Sequence, residues 1–145
     1  MKELDINLYF AYGSNMDEEQ MTYRCPGATE VGICTLEDMQ FVLDSAGVAS
    51  IVPKTGSSVT GVVWRVSNRN IVALDRYEGV SLGCYRKEFI QVSVNGQKRD
   101  ALVYLSNRDT ANAGWKSGYM DRIVKAAKRH RFSQDYINEL QSWNK

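Results

Sequence analysis

At 145 residues, 43% hydrophobic and 24% charged, this chain is long enough to bury a core and is far from the composition of a disordered or collagen-like polymer. A formal net charge of +1 provides no overall attraction to nucleic acid or to an anionic membrane, so neither is expected as a partner. The cysteines Cys25, Cys34 and Cys84 are odd in number and lack a Cys-x-x-Cys pair, which excludes a disulfide scaffold and a thiolate zinc site and points to a reducing, cytoplasmic setting.

The start, MKELDINLYF, carries acids before a short apolar run and lacks the basic start and continuous apolar segment of a signal peptide. No run approaches the ~20 apolar residues of a spanning helix. Leu8 to Tyr12 reads as a first strand, which stops at Gly13-Ser14-Asn15. Asp17 to Tyr23 follows as a short helix, so this corner joins strand to helix. From Glu30 to Val66 the expected strands are Val31 to Leu36, Gln40 to Leu43, a short Ser50 to Val52 before Pro53, and Val59 to Val66 after the turn at Gly56-Ser57-Ser58. Together they read as a meandering antiparallel sheet.

Ser67 is placed as an N-cap, and Asn68 to Glu78 sets Ile71, Leu74, Asp75 and Glu78 on one helical face, with Gly79 at the left-handed C-cap position. Tyr85 to Val94 and Arg99 to Leu105 form a hairpin around Asn95-Gly96, a dipeptide suited to a type I′ turn. A helix from about Tyr119 to Arg129 turns Tyr119, Met120, Ile123, Val124 and Ala127 inward. A second helix follows Ser133, with Phe132 and Ile137 placed as a hydrophobic staple. No repeat or linker divides the chain, so residues 1–145 are expected to form a single α+β domain with an antiparallel sheet or barrel.

Glu78 stands out, because it falls on the inward stripe of its helix and in the last turn. There both burial and the negative end of the helix dipole disfavour a charged carboxylate. The alternative is a partly exposed Glu78 paired with Arg76, Arg86 or Lys87. The Gly13-Ser14-Asn15 corner presents successive amides ahead of a helix, a geometry that can hold a carboxylate or a developing oxyanion, although such a loop is by itself more often a turn than a site. Ser14 as a nucleophile would need a base, and the one histidine, His130, lies in the basic run Lys128 to Arg131, which reads as a solvated helix end. Cys84 reads as a small buried hydrophobe or a thiolate. With no metal-ligand spacing and no nucleotide-binding glycine pattern, any chemistry here is expected to need no cofactor and no metal.

Tyr9 to Met16 (YFAYGSNM), Gly61-Val62-Val63-Trp64, Leu74-Asp75-x-Tyr77-Glu78-Gly79-Val80 and Ser117-x-Tyr119 resemble, in content and order, the γ-glutamylcyclotransferase family, over nearly the whole chain. The resemblance implies a single domain built as a mixed, largely antiparallel β-barrel flanked by helices. It implies Tyr12, Gly13, Ser14 and Asn15 as a substrate cradle, Glu78 as general acid and base, and Tyr119, Tyr9 and Tyr85 as further lining. The partner implied is a small γ-glutamyl compound, on a monomer or homodimer. Asn15 stands where the glutathione-specific branch usually has an apolar residue, which leans toward γ-glutamyl amino acids or γ-glutamylamines as substrates. Lys116 stands where a proline is frequent. The rival reading is a binding module that keeps the cradle and holds a γ-glutamyl or other carboxylate ligand without turnover.

Overall fold

The computed structural model describes residues 6–144; the acidic start, Met1 to Asp5, on which the expectation about a leader rests, lies outside them. Strand β1 (Ile6–Ala11) is followed by a 3-10 turn, Ser14–Met16, and by helix α1 (Glu18–Arg24). The Asp17 side chain caps α1 by accepting from the Gln20 amide, and Glu18 and Glu19 put negative charge at the positive end of the helix.

Two long strands, β2 (Thr29–Leu43) and β3 (Ala49–Ser67), replace the four short ones expected from the turn signals. The signals mark irregularities within a continuous pair. Glu37 faces Ser58 and Met39 faces Pro53, so only Asp38, with φ 61°, stands opposite residues 54–57. The Asp38 carboxylate accepts from the Gly56 amide and holds this bulge together. Pro53 is tolerated because it sits at the edge of that shift, where the ladder is already interrupted.

Helix α2 (Asn68–Tyr77) opens with a capping box between Ser67 and Asn70 and ends at Glu78, with Gly79 left-handed at φ 65°. Strands β4 (Tyr85–Val94) and β5 (Gln97–Ser106) form the expected hairpin, with positive φ at both Asn95 and Gly96. Helices α3 (Tyr119–Arg129) and α4 (Gln134–Gln141) complete the order, the latter capped by Ser133.

Among the described residues the strands form one sheet in the order β2-β3-β1-β5-β4, antiparallel except for β1 beside β5. The sheet is mixed and largely antiparallel, as expected, but it does not close into a hydrogen-bonded barrel. Edges β2 and β4 come together through the Ser93 amide, which donates to Cys34 Sγ at 3.4 Å, without forming a ladder. A cleft of about 300 Å³ lined by Leu36, Met39, Ile90 and Val92 separates them. The core contains Phe10, Phe41, Leu43, Val62, Val63, Leu74, Met120, Ile123 and Leu140. No helix of the described residues is long and apolar enough to cross a membrane.

Candidate active site

The chain leaves the sheet after β1 and must turn from a buried strand into α1 within a few residues, and side chains from three directions fix the turn. Asn15, buried, donates through Nδ2 to Tyr9 Oη at 2.9 Å. Its Oδ1 accepts from Gln20 Nε2 at 2.9 Å and Arg24 Nη1 at 3.1 Å. From β3, Trp64 Nε1 donates to the Asn15 carbonyl at 3.1 Å, which gives the tryptophan of Gly61-Val62-Val63-Trp64 its role. Gly61 has to be glycine, because a Cβ there would stand 2.5 Å from the Ala11 carbonyl oxygen. Inside the turn, Met16 and Asp17 amides donate to the carbonyls of Gly13 and Ser14. The amides of Gly13, Ser14 and Asn15 find no acceptor among the described residues, and all three residues line a cavity.

Glu78 faces these amides across the cavity from the last turn of α2. No side chain donates a hydrogen bond to its carboxylate and no cation stands within salt-bridge distance among the described residues. The partners considered for it are otherwise placed: Lys87 pairs with Asp75 at 3.0 Å, and Arg86 pairs with Glu88. Arg76 makes no ion pair among the described residues. Burial pushes the Glu78 carboxyl up to about 7, with Arg24 and Arg108 pulling the other way from a distance. Near neutrality the group is therefore poised between its two protonation states.

Phenols close the cavity around a single residue of β3, Ala49. Tyr85 donates to the Ala49 carbonyl, which Tyr12 Oη approaches at 3.5 Å, and the Ala49 amide donates to Tyr119 Oη at 3.0 Å. Tyr12 donates its phenol proton to the Tyr104 carbonyl, and Tyr104 Oη donates to Asp75 at 2.7 Å. Burial pushes the phenols of Tyr9, Tyr12, Tyr85 and Tyr119 well above the usual range, so they act as neutral hydrogen-bonding groups. Lys116 in place of a proline leaves Tyr119 at the start of α3, behind Gly118 at φ 76°.

The structure thus brings Tyr9, Tyr12, Gly13, Ser14, Asn15, Glu78, Tyr85 and Tyr119 around one cavity of about 40 Å³. Beyond Ser14, Glu78, Tyr85 and Tyr119 it opens into an outer groove of about 360 Å³ that also takes in Arg24, Arg76, Cys84, Arg108 and Lys116. His130 is absent from the cavity; its ring meets the Met16 carbonyl and Glu30, while Ser14 Oγ accepts from Gln20. Ser14 Oγ therefore makes no hydrogen bond to a base among the described residues. Among the described residues no three His, Cys, Asp or Glu side chains converge as a ready metal-ligand set. Sequence reasoning missed Ala49 and Tyr104. Ala49 contributes only main-chain atoms, and Tyr104 looks like any strand tyrosine.

A family model described as gamma-glutamyl cyclotransferase, AIG2-like, matches residues 9–122. Gamma-glutamylcyclotransferase from Mus musculus is 33% identical over 97% of this chain and 80% of its own length. The Homo sapiens protein of the same name is 35% identical over 93% of this chain and 77% of its own length. A solved structure named gamma-glutamyl cyclotransferase superposes with a TM-score of 0.86 at 28% identity, covering 95% of this chain and 88% of that one. A yeast γ-glutamyl cyclotransferase specific to glutathione superposes with a TM-score of 0.65 at 10% identity over 96% of this chain and 95% of that one, a likeness of fold alone.

Proposed function

This chain belongs to the gamma-glutamyl cyclotransferase, AIG2-like family, and from that premise we propose that it releases 5-oxoproline from a γ-glutamyl amino acid or γ-glutamylamine, with Glu78 moving the protons. The substrate supplies its own nucleophile: its α-amine lies within reach of its γ-carbonyl carbon. Holding the γ-glutamyl chain folded contributes roughly 7–11 kcal/mol through effective molarity. Glu78, ionised, takes a proton from the α-ammonium group, and the freed amine adds to the γ-carbonyl carbon. The oxygen that becomes negative is stabilised by the amides of Gly13, Ser14 and Asn15. Glu78, now protonated, gives its proton to the leaving nitrogen as the amide C–N bond breaks. It then takes the second proton from the ring nitrogen and passes it to the departing amine, so that the neutral lactam and an ammonium product leave and the carboxylate is restored.

The single observation that carries this reading is the lone Glu78 carboxyl opposite three amides without acceptors, in a cavity where, among the described residues, no serine hydroxyl hydrogen-bonds to a base. A carboxyl lifted to about 7 can both accept and return a proton at neutral pH. The test is 5-oxoproline release from a panel of γ-glutamyl amino acids, γ-glutamylamines and glutathione by wild type and Glu78→Gln. Binding without release across the panel would favour a binding module.

A further inference from the structure

The cavity at Glu78 holds little more than the reacting end of a γ-glutamyl amide, so the group attached to the scissile nitrogen must lie in the outer groove. Four cationic side chains from four separate segments line that groove: Arg24 at the end of α1, Arg76 on α2, Arg108 after β5 and Lys116 before α3. The acid in its lining is Glu78 itself, which the proposed chemistry uses. Among the described residues only Arg108 of the four is neutralised, by Asp44 at 3.1 Å. Arg24 lies over the Tyr77 ring at 4.5 Å and donates to Asn15, and Lys116 stands 5.8 Å from the centre of the Tyr119 ring; these contacts orient charge without cancelling it. With 18 basic and 17 acidic residues in the whole chain, this is a local excess and not a share of a basic surface.

Resting on the proposed cyclotransferase reading, we infer that the preferred leaving group is an acidic amino acid, bearing an α-carboxylate and a second carboxylate. A neutral amine leaves Arg24, Arg76 and Lys116 without a counter-charge, and a neutral amino acid answers one of them. A dianionic leaving group answers more, and the groove is open enough for it to enter and depart. Charge of one sign gathered in a cleft also raises the encounter rate of an oppositely charged substrate, by roughly 10- to 1000-fold in strong cases, and salt abolishes that gain.

The test compares three amides: γ-glutamylglutamate, γ-glutamylglutamine and γ-glutamylethylamide. The first two are nearly isosteric and differ by one charge in the leaving group. Expected at low ionic strength is a kcat/KM for γ-glutamylglutamate at least ~10-fold above that for γ-glutamylethylamide, with γ-glutamylglutamine between, and a gap that narrows sharply at ~0.5 M NaCl. Arg76→Glu and Lys116→Glu, both at exposed positions, should each shrink the glutamate-to-glutamine ratio, and together invert it. Should either variant fail to fold, the salt series on wild type decides alone. Turnover of all three amides with no charge or salt dependence overturns this inference and leaves the cyclotransferase reading standing. No 5-oxoproline from any of them overturns both.

Discussion

A carboxylate without a donor, placed where helix carbonyls end, is held in its charged form at a cost that a neutral isostere avoids. Glu78→Gln keeps the shape but cannot exchange a proton, so turnover is expected to fall by at least ~10²-fold, the scale of lost general acid–base catalysis, while substrate still binds. Its effect on stability depends on pH in a definite direction. With the folded carboxyl at about 7 and the unfolded one at 4.5, the unfolded chain ionises first as pH rises, so wild type loses stability between those values and carries the full cost above the upper one. Glu78→Gln should therefore match wild type below about pH 4.5 and exceed it at pH 8 by on the order of 3 kcal/mol. Thermal midpoints of both proteins across that range measure this. A salt-bridged Glu78 would give the reverse, a Gln variant destabilised at pH 8. The same carboxyl should set the acid limb of kcat/KM near pH 7, since only its ionised form accepts the ammonium proton. A rate flat from pH 5.5 to 8 would remove Glu78 from the proton path.

The corner after β1 works as a unit, since Tyr9, Gln20, Arg24 and Trp64 all fasten the one asparagine at its centre. Gly13 is its narrowest point: a Cβ there would sit 3.2 Å from Ala49 Cβ and 3.6 Å from Tyr119 Oη. The branched Gly13→Val should thus raise KM for the γ-glutamyl substrate more than it lowers the thermal midpoint. Normal binding by Gly13→Val would reduce the corner to a simple turn. The β2–β3 connection is a second unit, organised by fully buried Asp44. Its carboxylate accepts from the Ala46 and Val48 amides, from Ser106 Oγ at 2.6 Å and from Arg108 at 3.1 Å. Asp44→Ala leaves these donors unpaired, and a loss of about 3–5 kcal/mol is expected, the scale for breaking a buried ion pair from one side. Urea unfolding with an unchanged slope would measure it; a loss under ~1 kcal/mol would mean that water replaces the carboxylate.

At the scale of the whole molecule, what was legible in the sequence was local. The Asn95-Gly96 hairpin, the Ser67 and Ser133 caps, the bounds of Tyr119–Arg129 and the inward set of Glu78 each depend on residues a few positions apart. Spacing and turn chemistry report these directly. The gathering of eight spaced residues around one cavity came from resemblance, since nothing near Tyr9 says that Tyr119 will face it. Strand neighbours were harder still. First in the chain, β1 lies in the middle of the sheet between β3 and β5, a pairing between segments far apart in sequence. Its one visible sign was the unbroken apolar run Leu8 to Ala11, buried throughout as in a central strand. Pro53 and Gly56-Ser57-Ser58 misled in the other direction, because a long strand pair can absorb turn-forming residues in a bulge.

The grip of Tyr85 and Tyr119 on Ala49 has a bearing on how this protein can drift. Tyr85 and Tyr119 hold the carbonyl and amide of residue 49, atoms that every substitution but one retains. In a saturation library, small replacements such as glycine and serine should survive selection for turnover at this position. Proline, which deletes the amide that meets Tyr119, should be lost. A wall of the cavity is thereby written in backbone, and lineages could exchange its side chain while the cavity stayed put.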